Sequence, residues 1–409
     1  MSFRNDSRAT GDCVVALCAL RSLWRTRCFV ALLLGATPIE AQSSATDLRE
    51  LGADVETVTV EPLRVFAPAG GARAGWNRLY AATMGDDGAV VVVRLSTPGV
   101  AVTLFAANGR ERWTRRFPSA TINGITLVGD TIAVSEQGEH PALVLLSKAN
   151  GMERARYAMP IAEDEVATVL GLWEGQWYVQ RQRSAGLYVA REHYRSVDRF
   201  DVQRGQWDRV LTFIDSSPRV YLENGRDAVP PPFPPLPQFA MSPQYGLLFH
   251  SGSQLAIEQV NVVGSRAPWI RLQAIDGPLS DSAWARIVAD WRANPPVRML
   301  VPDSIWTRAA QLGRGAIGRS LGAMFTASDG TLLVRRRDAD HAASSLPMET
   351  TWDLVNPSQN RLRRVLLPSG TTILHFARGG RLLLRRVLAD GTVSLSTATL
   401  ATAHDTVSR

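Results

Sequence analysis

An all-β, six-bladed propeller behind an export signal is the architecture that this 409-residue sequence predicts. Three observations lead to it. Short apolar runs recur in pairs around Gly-containing turns, six times between residues 79 and 387. A second hairpin follows most of these pairs, and the first two units repeat at roughly 40 residues, the spacing of four-stranded blades. The sixth unit lacks one strand, while a strand with no blade of its own lies near the N-terminus.

The elements follow in chain order. Residues 1–41 read as a signal peptide. Arg21, Arg25 and Arg27 precede the apolar run CFVALLLGA, and Ile39-Glu40-Ala41 supplies the cleavage site. The apolar run is too short to span a bilayer, which takes about 20 residues. Residues 42–54 are a linker, 55–400 the propeller and 401–409 a tail. The segment VETVTVEPLRVF is the unattached strand. Placed as the outer strand of the last blade, it closes the ring and leaves only short edges. Pro62 fits that edge position, because proline cannot donate to a ladder on both sides.

The six first hairpins turn at Asp87-Gly88, Gly129-Asp130, Glu174-Gly175, Gly246, Asp329-Gly330 and Gly379-Gly380. Asp-Gly and Gly-Gly between alternating apolar runs are strong hairpin signals, since the turn requires φ > 0. Second hairpins turn at Asn108-Gly109, Asn150-Gly151, Gly205, Gly264 and near Pro357 to Asn360. The last unit ends in GTVSLSTATL alone. Two insertions interrupt the series. The run VPPPFPPLP, from Val229 to Pro237, is an extended lead into the fourth unit. Residues 276–312 form a helical insertion between the fourth and fifth. In it Ser280 or Asp281 caps a helix whose stripe is Trp284, Ile287, Val288 and Trp291, and Pro295-Pro296 stops it. A shorter helix is expected from Asp303 through Trp306 to Leu312. The insertion is expected to pack over one mouth or flank of the ring.

These repeated units and the closing N-terminal strand resemble six-bladed propellers of the NHL-repeat and TolB-like type. The Pro-rich entry, the helical insertion and the late Trp352-Asp353 hairpin resemble a set of exported bacterial propellers in particular. The resemblance implies the fold over most of the chain after the leader. It carries no catalytic residues to transfer.

Composition narrows the function classes. Lys and Arg total 45 against 38 Asp and Glu, for a formal charge of +7. The basic residues are scattered, however, and no stripe for nucleic acid exists. The triplet Arg335, Arg336 and Arg337 sits in a strand, where neighbours point to opposite faces. Lys148 is the single lysine in the chain. All three cysteines, Cys13, Cys18 and Cys28, lie in the leader, so neither a disulfide nor a cysteine-bound metal is expected downstream.

Chemical motifs are sparse. Gly318-Arg319-Ser320-Leu321-Gly322 fits G-x-S-x-G, but a nucleophile elbow needs a strand before the serine and a helix after it. The order here is reversed, and Ser320 is read as a loop residue. The six histidines, at 140, 193, 250, 341, 375 and 404, show no zinc spacing. His250 and His375 are expected as satisfied strand histidines. Glu163, Asp164 and Glu165 are read as a solvated loop rather than a calcium site. Inner strands rich in Val, Leu and Ala offer isolated polar residues such as Asn123. Among the eleven Trp, those at 113, 173, 177, 207, 269 and 352 read as inter-blade packing. Trp284, Trp291 and Trp306 in the insertion are the candidate binding residues. No catalytic residue, metal or cofactor is expected, and the partner is unknown. The expectation is a non-catalytic exported binding or scaffolding module in the periplasm or outside the cell. The alternative is a propeller hydrolase or lyase with its site at the channel mouth. Export is checked by N-terminal sequencing of protein from a secreting host, which should begin at Gln42; recovery of intact Met1 in the cytoplasm would refute it.

Overall fold

Six four-stranded antiparallel blades form a ring, with the N-terminal strand seated in the last of them. This arrangement comes from a computed structural model, which describes residues 56–66, 76, 78–118, 120–183, 193–215, 219–225, 227–232, 236–272, 280–293, 301–314, 320–337, 351–359, 361–367, 370–388 and 391–402. The chain divides at residues 43/44, and all described residues belong to the second part. The expected leader and linker lie outside them, as does the expected tail beyond Thr402; Ala401 and Thr402, expected in the tail, end a strand instead because they pair with β1.

The first strand, β1 (Glu56–Phe66), belongs to blade 6. Blade 1 holds β2 (Leu79–Met84), β3 (Val90–Leu95), β4 (Val100–Phe105) and β5 (Glu111–Phe117). Blade 2 holds β6 (Thr121–Val128), β7 (Thr131–Gln137), β8 (Ala142–Ser147) and β9 (Glu153–Ala158). Blade 3 follows with β10 (Glu165–Trp173), β11 (Gln176–Arg183), β12 (His193–Asp201) and β13 (Gln206–Asp215). After a two-stranded hairpin, β14 (Val220–Tyr221) and β15 (Ala228–Val229), come the strands of blade 4. These are β16 (Gln238–Ser242), β17 (Gly246–His250), β18 (Ala256–Val260) and β19 (Arg266–Arg271). Two helices, α1 (Asp281–Ala293) and α2 (Asp303–Arg314), precede blade 5. That blade holds β20 (Ser320–Thr326), β21 (Leu332–Arg337), β22 (Thr351–Asn356) and β23 (Arg361–Leu366), and blade 6 adds β24 (Thr371–Ala377), β25 (Arg381–Val387) and β26 (Val393–Thr402). Ser320, expected in a loop, is thus the first residue of a strand, because its backbone pairs with that of Arg337 on β21.

The middle strands are apolar on both faces because every blade is sandwiched between two others. Val90, Val91, Val92 and Val93 are all buried. Val91 and Val93 pack towards blade 2, and Val90 and Val92 towards blade 6. Six separate cores result, one in each gap between neighbouring blades. Each strand face alternates its apolar residues with period two, so one strand serves two cores.

Indole N–H groups tie blades together at the rims. Trp76 Nε1 donates to the Phe66 carbonyl at 2.9 Å, linking blades 1 and 6. Trp113 Nε1 donates to the Lys148 carbonyl at 2.9 Å and Trp207 Nε1 to the Ala158 carbonyl at 2.8 Å. The Gly151 α-carbon lies so close under the Trp113 ring that a Cβ would sit 2.7 Å from it. The expected packing roles of the blade tryptophans hold here: Trp177 and Trp352 are buried, and Trp113, Trp173, Trp207 and Trp269 pack against blade cores.

The helical insertion departs from expectation in one respect. Its stripe is buried against α2 and the β14–β15 hairpin, not against the blades. Trp284, Ile287 and Ala310 make one small core; Val220, Val229 and Ala309 make a second, flanked by Trp291 and Trp306. Pro231 and Pro232 close it from the other side, where the backbone of Gly313 sits against Pro232. The two connections flanking blade 4 therefore pack on each other, since a helix pair with its own hairpin can bury its stripe without the ring.

Ring closure carries a stability prediction. Deleting residues 46–66 removes β1, uncovers β26 and empties Val58 and Phe66 from two cores, each worth about 1.5–3 kcal/mol of burial. A large fall in melting temperature or aggregation is expected, and an unchanged melting curve would show that β1 closes nothing.

Candidate functional site

The inner strands β2, β6, β10, β16, β20 and β24 surround a central channel of about 810 Å³. Five of their hairpins carry a β-bulge beside this channel; blade 4 does not. Bulges re-aim the side chains next to them. In blade 6 the extra residue is Leu374, directly before His375.

Most of the channel wall is apolar, with Leu127, Leu170, Phe239 and Phe325 among its lining residues. A hydrogen-bonded polar group lies on the sector formed by blades 1, 5 and 6, while Thr126, Thr168, Gln180 and Gln238 add polar residues around the rest of the lining. His375 Nδ1 lies 3.3 Å from the Thr83 hydroxyl. Burial pushes the imidazole pKa down to about 4, against a weaker upward pull from Asp86, so the ring is neutral at pH 7. Asp86, in the turn between β2 and β3, accepts a 2.6 Å hydrogen bond from the Ser328 hydroxyl and a 3.3 Å one from the Arg378 amide. The Arg381 guanidinium donates to the Asp86 carbonyl. Next to it, Asp87 forms a 2.6 Å ion pair with Lys148. Burial works to raise the Asp87 pKa, but the hydrogen bond and charge of Lys148 outweigh it and hold the carboxyl below its usual range. The single lysine of the chain therefore stands at the channel mouth, on the wall shared with a second groove of about 590 Å³ between blades 1 and 2. Among the described residues no three His, Cys, Asp or Glu side chains are grouped to hold a metal ion.

A second charged cluster lies inside blade 3. Glu165 is almost fully buried and accepts from Arg181 at 2.5 and 3.1 Å, from the Ala162 amide at 3.0 Å and from the Tyr194 hydroxyl. Arg181 also reaches Asp198 at 2.6 Å, and Arg209 covers the other Asp198 oxygen. Burial opposes ionisation of Glu165, yet Tyr194, the amide and Arg181 together keep its pKa lowered. The same contact raises the Tyr194 pKa.

The sequence-derived candidates sort as follows. Trp284 is buried in the satellite core, and the half-buried Trp291 and Trp306 meet edge to face at 4.6 Å. His250 is satisfied: the Gly252 amide donates to Nδ1 at 3.1 Å, and Nε2 lies 2.7 Å from the Gly322 carbonyl. Asn123 bridges the Tyr80 hydroxyl and Gln137. Of the acidic trio, Glu163 is exposed and Asp164 pairs with Arg183 at 3.1 Å. Glu165 is not solvated as expected, because Arg181 on the adjacent strand draws it inside. Sequence reasoning missed Asp86, Ser328 and the Arg181–Asp198 pair. Arg181 and Asp198 sit in strands already rich in polar residues and so gave no signal, and nothing in the sequence brings residues 86, 328 and 378 together.

No known protein family matches the sequence, and no curated protein matches it. Solved structures similar to it include an oligogalacturonate lyase in complex with manganese, at 11% identity and a TM-score of 0.44 over 84% of this chain and 97% of that one. A putative TolB from Agrobacterium tumefaciens aligns at 12% identity and 0.39, over 80% and 91%. BamB from Moraxella catarrhalis aligns at 12% and 0.31, over 78% and 82%.

The blade 3 cluster generates a test. Arg181→Met leaves two buried carboxylates without their shared cation and should cost about 3–5 kcal/mol. Because the Glu165 pKa is depressed, its stabilisation is present above about pH 4.3 and is lost as pH falls through the folded-state value. Urea midpoints at pH 7 and pH 4 should differ more for the parent than for Arg181→Met. Equal midpoints for both proteins at pH 7 would contradict the brace.

Proposed function

We propose that the protein is an exported, non-catalytic propeller that binds a ligand or partner without turning it over. Residues 1–41 are its signal peptide, 42–54 a linker and 55–400 the binding body. The observation that carries the reading is the bond from Ser328 to Asp86: the one serine hydroxyl at the polar sector gives its proton to a carboxylate, not to an imidazole. His375, the base nearest to it in kind, is occupied on Nδ1 by Thr83. A nucleophile–base pair needs those two within hydrogen-bond reach of each other. No helix among the described residues is long and apolar enough to cross a membrane. In this reading Trp284 holds the satellite together, while the half-buried rings of Trp291 and Trp306 supply contact surface beside blade 4.

The competing reading, a hydrolase or lyase at the channel mouth, draws on the fact that Ser328, Asp86 and His375 line one cavity. Incubation with p-nitrophenyl acetate and butyrate separates the two. The binding reading expects nitrophenolate release no faster than in buffer. Release by the parent that disappears in Ser328→Ala would overturn it and establish the hydrolase.

A further inference from the structure

Polar groups that find no partner inside a protein mark places where a further group completes them. Two such groups lie on the opposed faces of blades 5 and 6. On β21, Leu333 belongs to the core in that gap, and Arg335 shares its face two residues further along an unbroken pairing with β22. The Arg335 Nε is enclosed without a hydrogen-bond partner. Burial pushes the guanidinium pKa down, and no carboxylate offsets that effect. On β24, Thr371 precedes the core residue Ile373 by two and faces the same gap. It is 3% exposed, and its hydroxyl also has no partner among the described residues.

The surroundings restrict what can complete them. Gly322 lets the arginine lean across β20, the inner strand of its blade: a Cβ there would stand 3.2 Å from Arg335 Cδ and 3.3 Å from its Cβ and Cγ. His250 pins that glycine. It accepts the Gly252 amide on Nδ1 and so carries its proton on Nε2, which donates to the Gly322 carbonyl at 2.7 Å. Thr371 stands on β24, the inner strand of the next blade, beside Arg386 in register. Arg386 is exposed and brings a cation to the rim of the gap. Of the acidic side chains described on these strands, Asp353 shares the face of Val355, towards blade 4, and Glu61 is on the face opposite Val60. A guanidinium only donates, and a threonine hydroxyl can donate, so the partner that suits both is an acceptor carrying negative charge. One enclosed guanidinium matches one such charge; a dianion would leave the second unmatched away from water. The flanking residues Leu333, Trp352, Ile373 and Leu384 belong to a packed core, which limits the partner to a small group. We propose that the inner part of the gap between blades 5 and 6 binds one small monovalent anion of the halide class, held by the Arg335 guanidinium and the Thr371 hydroxyl.

Chloride NMR linewidths of the full chain at pH 7.5 test this. The parent protein should broaden the chloride signal beyond the buffer, and bromide should reverse the excess where gluconate, a bulkier monoanion, does not. Arg335→Met should lose most of the excess and Thr371→Val part of it. Arg116→Met, at an exposed arginine of β5, should keep it, which separates a site from general attraction to a basic protein. The parent experiment needs no variant, so the proposal stays open to refutation should Arg335→Met fail to fold. No excess broadening by the parent would overturn it, as would equal reversal by gluconate. So would a full excess in folded Arg335→Met, or its loss in Arg116→Met. None of these outcomes bears on the binding reading of the channel, which fails only on ester turnover.

Discussion

Strand β1 is the piece on which the ring depends, and a single extra residue lets it do two jobs. Its pairing with β26 runs from Val58↔Thr402 to Phe66↔Leu395, with a register shift between Pro62 and Arg64. In an unbroken strand Val58 and Phe66, eight residues apart, would point to the same face. The bulge moves them to opposite faces. Val58 accordingly enters the core between blades 5 and 6, and Phe66 the core between blades 6 and 1. The start of β1 also pairs in parallel with β23, so blades 5 and 6 share one continuous eight-stranded sheet. Residues far apart in the chain thereby close the ring through backbone hydrogen bonds inside blade 6, between β1 and β26.

Everything inside the ring follows from its closure. Each blade buries both faces only if it has two neighbours, and the sixth gap exists because β1 fills it. The tryptophans then act at the rims, where an indole can pack its ring on one blade and donate its N–H to the next. The loops are freed from that task. This explains how the connections flanking blade 4 could become a separate satellite of two helices and a hairpin, with its own cores.

Two charged clusters among the described residues differ in what surrounds them. In blade 3, Arg181 satisfies two carboxylates within one sheet, and burial makes the arrangement strong but acid-sensitive. At the channel mouth the partners come from the turns of four blades: Asp86 and Asp87 from blade 1, Lys148 from blade 2, Ser328 from blade 5 and Arg378 from blade 6. That network is exposed and individually weak, as surface pairs are. Behind it lies a neutral imidazole, that of His375, beside the Thr83 hydroxyl.

Hairpin turns, alternating apolar runs, the helical stripe of Trp284, Ile287, Val288 and Trp291, and the orphan strand with Pro62 were all legible in the sequence. Each is a local pattern: φ > 0 at a turn, period two in a strand, period 3.6 in a helix. Counting them was enough to determine six blades and a borrowed strand. The candidate site was not legible, because its residues are separated by up to 295 positions and meet only when the ring closes. Asp86 looked like one more turn residue, and Glu165 like one more loop acid. Whether a carboxylate faces water, a guanidinium or a serine depends on which blade lies across from it. The sequence by itself determined the repeating element and its number; the tertiary structure alone decided what lines the channel, since closure of the ring, and no local propensity, sets which turns face one another.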